Sequence, residues 1–170
     1  MHSEGKTRDD LWKMIKDIRF GMLTTRHSGE AHDGHLHARP MTTQNKDLDD
    51  ARLWFFMSRR SGPVDDIVAD PTVNVSYAEP DDDTYVSVSG IARVIPDVAQ
   101  ARALWNKAAD AWFPGGPEDP DLVLVAVDIE HAHYWDVKEN KLTQLMVMAK
   151  AALTGEPPRL GESGEVRPSH

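Results

Sequence analysis

Apolar residues recur along this chain at two spacings, and the switches between them divide it into elements. Leu11, Ile15 and Ile18 fall at i, i+4 and i+7 with Trp12 beside them, and Thr7 with Asp10 has the form of a capping box, so a first helix is predicted. Residues 20–25 read as a strand, Ser28-Gly29-Glu30 as a turn, and residues 35–44 as a second extended stretch. After a polar turn at residues 45–50, Leu53, Trp54, Phe55 and Phe56 follow one another without a break. Such a run, within residues 52–58, predicts a strand buried on both faces.

Val64, Ile67 and Val68 predict a short helix facing the core, stopped by Pro71. Residues 73–78 and 85–95 form the arms of a hairpin whose tip is Glu79-Pro80-Asp81-Asp82-Asp83. In the second arm Val86, Val88 and Gly90 alternate with Ser87 and Ser89, a period of two. Residues 97–112 are predicted as one helix, with Asp97 as its N-cap and Leu104, Trp105 and Ala108 at helical spacing. Pro114-Gly115-Gly116-Pro117 ends it.

Residues 122–129 predict one more buried strand, and residues 133–137 and 142–147 a closing pair about a turn at residues 138–140. Beyond Thr154 the chain turns to Gly, Pro, Ser and charge, so the prediction is one domain over residues 7–154 and a flexible tail over 155–170. Six or seven short strands with two or three helices between them imply a mostly antiparallel barrel with peripheral helices.

Composition narrows the class. The chain has 170 residues, no cysteine, and a formal net charge of −9. Disulfides, thiol catalysis and cysteine-based zinc sites are excluded. The acidic field repels a phosphate backbone, and no Lys/Arg block is present, so no nucleic-acid partner is expected. No apolar run approaches the roughly 20 residues that cross a bilayer, and residues 1–10 do not read as a signal peptide. No membrane association and a cytoplasmic location are therefore expected. Any anionic ligand must be held by a few positioned groups.

Several residues carry candidate chemistry. Arg39, beside Pro40 on a strand edge, suits bidentate phosphate recognition or an ion pair with one of the many carboxylates. His27, His32, His35 and His37 crowd one hairpin with Asp33 as the adjacent carboxylate. Two imidazoles at i and i+2 can share a metal, but known structural-site spacing is not reproduced, and a solvated polar hairpin explains them as well. His131 and His133 form a similar pair. Trp12, Trp54 and Trp105 sit in core patterns, whereas Trp112 and Trp135 lie at element ends, where a ring is either core or reaches a cleft. Asp81-Asp82-Asp83 reads as a charged hairpin tip. No Ser/His/Asp order, Walker loop or dinucleotide-binding glycine pattern occurs.

Five strings, in order, carry a resemblance: Arg39-Pro40-Met41, Leu53-Trp54-Phe55-Phe56-Met57-Ser58, Tyr85-Val86-Ser87-Val88-Ser89-Gly90, Trp112-Phe113-Pro114-Gly115-Gly116-Pro117 and Tyr134-Trp135-Asp136. Together they resemble the general-stress-protein branch of the pyridoxamine 5'-phosphate oxidase-like split-barrel flavoproteins over residues 11–154. The resemblance implies a mainly β (α+β) fold, a six-stranded antiparallel split β-barrel of Greek-key type with peripheral helices. It also implies a homodimer with FMN in clefts at the subunit interface. Under it Arg39 meets the FMN phosphate, with Pro40 and Met41 beside it as cofactor-binding residues, the strand of Phe56, Met57 and Ser58 passes along the flavin, Ser61 continues the phosphate cradle, and Tyr85 and Trp135 close over the isoalloxazine from the partner.

Departures from the pattern matter equally. Ser61-Gly62-Pro63 stands where the oxidases carry Ser-Arg-Lys, and Gln44 replaces a second phosphate-binding lysine. Charge-assisted contacts are worth about 1.5–3 kcal/mol each, so losing two weakens FMN by roughly 10²–10⁴-fold. Arg59 and Arg60 are candidates to compensate. Lys141 and Thr143 stand where the oxidase proper reads pyridoxine phosphate with an Arg-x-His pair, so vitamin B6 oxidation is not expected. Two readings stay open: an FMN-dependent oxidoreductase or flavin carrier, and a non-catalytic stress protein with weakened or altered cofactor binding. FAD or the deazaflavin F420 are the alternative cofactors.

Overall fold

The computed structural model describes residues 5–29, 34–137, 141–158 and 160–166. Its elements run α1 (Arg8–Ile15), β1 (Gly21–Arg26), β2 (Leu36–Met41), β3 (Arg52–Ser58), α2 (Gly62–Ala69), β4 (Thr72–Glu79) and β5 (Thr84–Val94). There follow α3 (Val98–Leu104), α4 (Lys107–Asp110), a 3₁₀ turn (Gly116–Glu118), β6 (Leu122–Asp136), α5 (Lys141–Thr154) and β7 (Glu162–Val166). The strands pair antiparallel in the order β2-β1-β4-β5-β6-β3, with β7 on the free part of β6. The sheet curls into the half-barrel of a split-barrel fold. Its two ends approach where the Gln44 amide donates to Trp54 O at 2.9 Å.

Local rules account for the early elements. The Thr7 amide donates to Asp10 Oδ2 at 2.9 Å and the Asp10 amide to Thr7 Oγ1 at 3.3 Å, completing the capping box of α1. Leu11 and Ile15 of that helix are buried. In β1 the alternation buries Gly21, Leu23 and Thr25 and turns Met22 and Arg26 outward. The interior of the barrel is built on Leu23, Val75, Val88, Phe55, Val125 and Val127, all fully enclosed. A second cluster, on the other side of β3 and β6, joins Trp54, Phe56, Leu124, Leu104 and Phe113. β3 is therefore buried on both faces, as its unbroken apolar run predicts.

Several expectations need correction. Residues 122–136 form one strand, not two, because a bulge between Ser89 and Gly90 absorbs the polar stretch around Glu130 without ending the pairing. Gly90 sits so close to Asp128 O that a Cβ there would overlap it. The predicted helix over 97–112 breaks after Leu104: Trp105 is extended, and Asn106 caps the separate α4 by accepting from the Ala109 amide. Val68 faces outward. Residues 142–147, expected as a strand, lie in α5, where the continuing Leu, Met, Ala and Lys residues favour a helix over extended pairing. Within the stretch expected as a tail, β7 pairs with residues 132–136 of β6 and buries Val166. Glu30 of the first predicted turn, and the turn at residues 138–140, lie outside the described residues. Among the described residues, no helix is long and apolar enough to cross a membrane.

Candidate functional site

Strand alternation decides which face each candidate occupies. Leu23 of β1 points inward, and its partner in β2 is Arg39, so the Arg39 side chain enters the barrel side of the sheet. There it meets polar groups brought by β1 and α2. Arg39 Nη1 donates to Thr25 Oγ1 at 2.8 Å, and Nη2 lies 3.5 Å from Asp66 Oδ2. Asp66, on the buried face of α2 with Val64 and Ile67, also accepts from Thr25 Oγ1 at 2.8 Å, the Ser28 amide at 2.9 Å and Ser28 Oγ at 3.0 Å.

Burial pushes the Asp66 carboxyl up. The Ser28 amide, the two hydroxyls and Arg39 outweigh it, and the group is held below the usual aspartate range. Burial lowers the Arg39 pKa and Asp66 opposes it. A guanidinium nevertheless stays charged. His27 Nδ1 stands 3.6 Å from Asp66 Oδ1, its ring 4.8 Å from that of His35, which lies 6.2 Å from His37. His32 and Asp33 lie outside the described residues. Among those described, no three His, Asp or Glu side chains gather as a metal site.

At the turn before α2, Ser61 is the N-cap residue, but its Oγ donates back to Ser58 O at 2.6 Å. Ser58 Oγ donates to Asp121 at 2.7 Å. Arg59 and Arg60, the candidate replacements for the missing cations, reach the same neighbouring segment: Arg59 Nε donates to Pro120 O and Arg60 Nε to Asp121. Gln44 accepts from Asn106 Nδ2 at 2.7 Å. Phe56 and Met57 are core residues, Phe56 packed 5.3 Å from the Trp105 ring, so their side chains face no cleft. Met41 packs partly against the core, while Pro40, opposite Met22, faces outward.

The outer face of the sheet holds the aromatic candidates. Tyr85 and Trp135 are direct partners across β5 and β6, 40% and 48% exposed, with Phe20 and Met22 similarly open. Together with Ser76, Ala78 and Ser87 they line an uncharged hollow of about 330 Å³. A larger hollow of about 600 Å³ lies between α1 and the β4–β5 turn, where Asp10, Asp17, Glu79, Asp81, Asp82 and Asp83 outnumber Lys6 and Lys13 and make the wall acidic on balance. Trp112 is 81% exposed on the loop after α4.

The predicted residues thus occupy different places. Tyr85 and Trp135 come together. Arg39 lies on the opposite face of the same sheet, and Ser58 and Ser61 at the turn before α2. Thr25, Ser28 and Asp66 escaped sequence reasoning, as did Phe20 and Met22. The only signal for Asp66 was a carboxylate interposed between Val64 and Ile67 on a helix face that had to be buried.

A family described as pyridoxamine 5'-phosphate oxidase like matches residues 6–159 of this chain. Among curated proteins, bli-3 of Neurospora crassa is 29% identical over 166 residues, 93% of this chain and 78% of that protein. A candidate general stress protein 26 from Jannaschia sp. CCS1 superposes with a TM-score of 0.69 at 26% identity, covering 91% of this chain and 94% of that one. The general stress FMN/FAD-binding protein of Xanthomonas citri does so with a TM-score of 0.65 at 32% identity, covering 79% and 90%.

Proposed function

The chain belongs to the pyridoxamine 5'-phosphate oxidase-like family, and on that premise we propose that it is a flavin-binding protein acting as a homodimer. The observation that carries this reading is the uncharged aromatic hollow around Tyr85 and Trp135, whose exposed rings suit the flat isoalloxazine. The resemblance to a FMN/FAD-binding stress protein at 32% identity supports it. Arg39 would meet the phosphate end, with donors beyond the two directed at Thr25 and Asp66.

Because Arg39 and Trp135 face opposite sides of one sheet, a single flavin touching both draws them from two subunits. A second copy would also cover the apolar outer face, which is large for an unpartnered surface. When bound, the flavin supplies hydride chemistry, and the chain supplies binding and orientation. A non-catalytic role with a weakly held cofactor is the second reading, favoured by the Asp66 carboxylate beside Arg39.

The test is an absorbance and fluorescence titration with FMN, FAD and F420, alongside light scattering. We expect a perturbed flavin spectrum, a dimer, and weaker binding in Arg39→Ala. A monomer that binds none of the three would overturn the reading.

A further inference from the structure

The cation offered to the flavin phosphate is already answered by a carboxylate. Arg39 and Asp66 lie 3.5 Å apart with side chains only 14% and 3% exposed, and the Thr25 hydroxyl bridges them. Three hydrogen bonds in all, one from Thr25 and two from Ser28, hold Asp66 in its charged form. Two of the three neighbouring arginines are themselves paired with carboxylates, and the third keeps its charge but is turned to a backbone carbonyl. Arg26 pairs with Asp70 at 3.4 Å, Arg60 with Asp121 at 3.3 Å, and Arg59 is turned to Pro120 O. Gln44 and Pro63 bring none.

We infer that Asp66 sets the charge of the phosphate that Arg39 accepts: the near-neutral Arg39–Asp66 pair takes a singly charged phosphodiester in preference to a doubly charged phosphomonoester. The inference rests on the flavin reading above and names the class of flavin, one joined through its phosphate to a further group. A monoester carries nearly two charges above its second pKa of about 6, so its extra charge meets the Asp66 carboxylate. A diester has no proton to lose in that range, and its two free oxygens match the remaining N–H groups of a guanidinium.

The experiment compares riboflavin, FMN and the methyl diester of FMN by fluorescence titration at pH 8, on the wild-type chain and Asp66→Asn. All three share the ring; the last two differ by one charge. In the wild type the methyl diester should bind about tenfold tighter than FMN. Asp66→Asn, which keeps the side-chain shape, should close that gap by strengthening FMN relative to riboflavin. Equal or tighter binding of FMN by the wild type overturns the inference, as does a gap unchanged in Asp66→Asn. Should the variant not fold, the wild-type comparison decides alone. If riboflavin and both esters all fail to bind, it is the flavin reading that falls.

Discussion

The two faces of the β2–β1–β4–β5–β6 sheet are built on opposite principles. On the inner side, Thr25, Ser28, Arg39 and Asp66 form a polar network in which every member has a partner, and burial makes each partner necessary. On the outer side, Phe20, Met22, Tyr85 and Trp135 leave large apolar areas open that no described residue covers. The first arrangement is complete as it stands. The second makes sense as one half of a contact, so the inner face should govern stability and the ligand's phosphate end, and the outer face the stacking of its ring.

The largest expected effect breaks the inner face. Asp66→Ala leaves Arg39 partly buried beside a vacated partner, which costs about 3–5 kcal/mol in chemical unfolding. Because the folded-state pKa of Asp66 is depressed, its contribution is full above the usual aspartate range and is lost as pH falls through the lower folded value. The gap between wild type and variant should therefore narrow on acidification. A loss below about 1 kcal/mol, or a gap indifferent to pH, would mean that the network is dispensable.

Trp135→Ala probes the other face. With 48% of the residue exposed, its removal should change stability by about 1 kcal/mol or less. Flavin affinity should fall by about 1–3 kcal/mol, the usual worth of one aromatic stacking contact on a flat ring. Fluorescence titration and unfolding of the same preparation separate the two effects. A variant that unfolds readily yet binds flavin normally would reverse the roles assigned to the two faces.

This contrast also explains how far the sequence could be read. The capping box of Thr7 and Asp10, the doubly buried strand of Leu53 to Phe56 and the period-two hairpin arm after Tyr85 are local patterns, and each appears where the pattern places it. The single span of β6 was not legible, because a bulge is a property of two paired strands. Nor was β7: Glu162 to Val166 has no strand signal of its own and is extended because the edge of β6 is free to pair with it. At the site, Tyr85 and Trp135 were named through the family pattern, and the fold sets them opposite each other across β5 and β6. Asp66 was not, because a carboxylate on a short helix normally reads as solvated. Only the fold reveals that β1, the turn after it and β2 deliver three donors and a guanidinium to it.

Two tyrosines one position apart across β4 and β5 give the finest form of the comparison. Tyr77 is opposite Val86 and points inward, 2% exposed, its hydroxyl 2.6 Å from that of Thr43. Tyr85 is opposite Ala78 and points outward. Tyr77→Phe should cost about 1 kcal/mol, the net worth of one hydrogen bond, whereas Tyr85→Phe should stay within about 0.5 kcal/mol. Burial also pushes the Tyr77 phenol up to about 12, so the folded chain keeps a proton that the unfolded chain releases near pH 10. Wild-type stability must then decline as pH rises above about 10, and Tyr77→Phe lacks that part of the decline. The two unfolding free energies should converge in that alkaline range. Parallel curves would mean that the Tyr77 hydroxyl reaches water, and the division of the sheet into a closed inner and an open outer face would lose its inner boundary at β4.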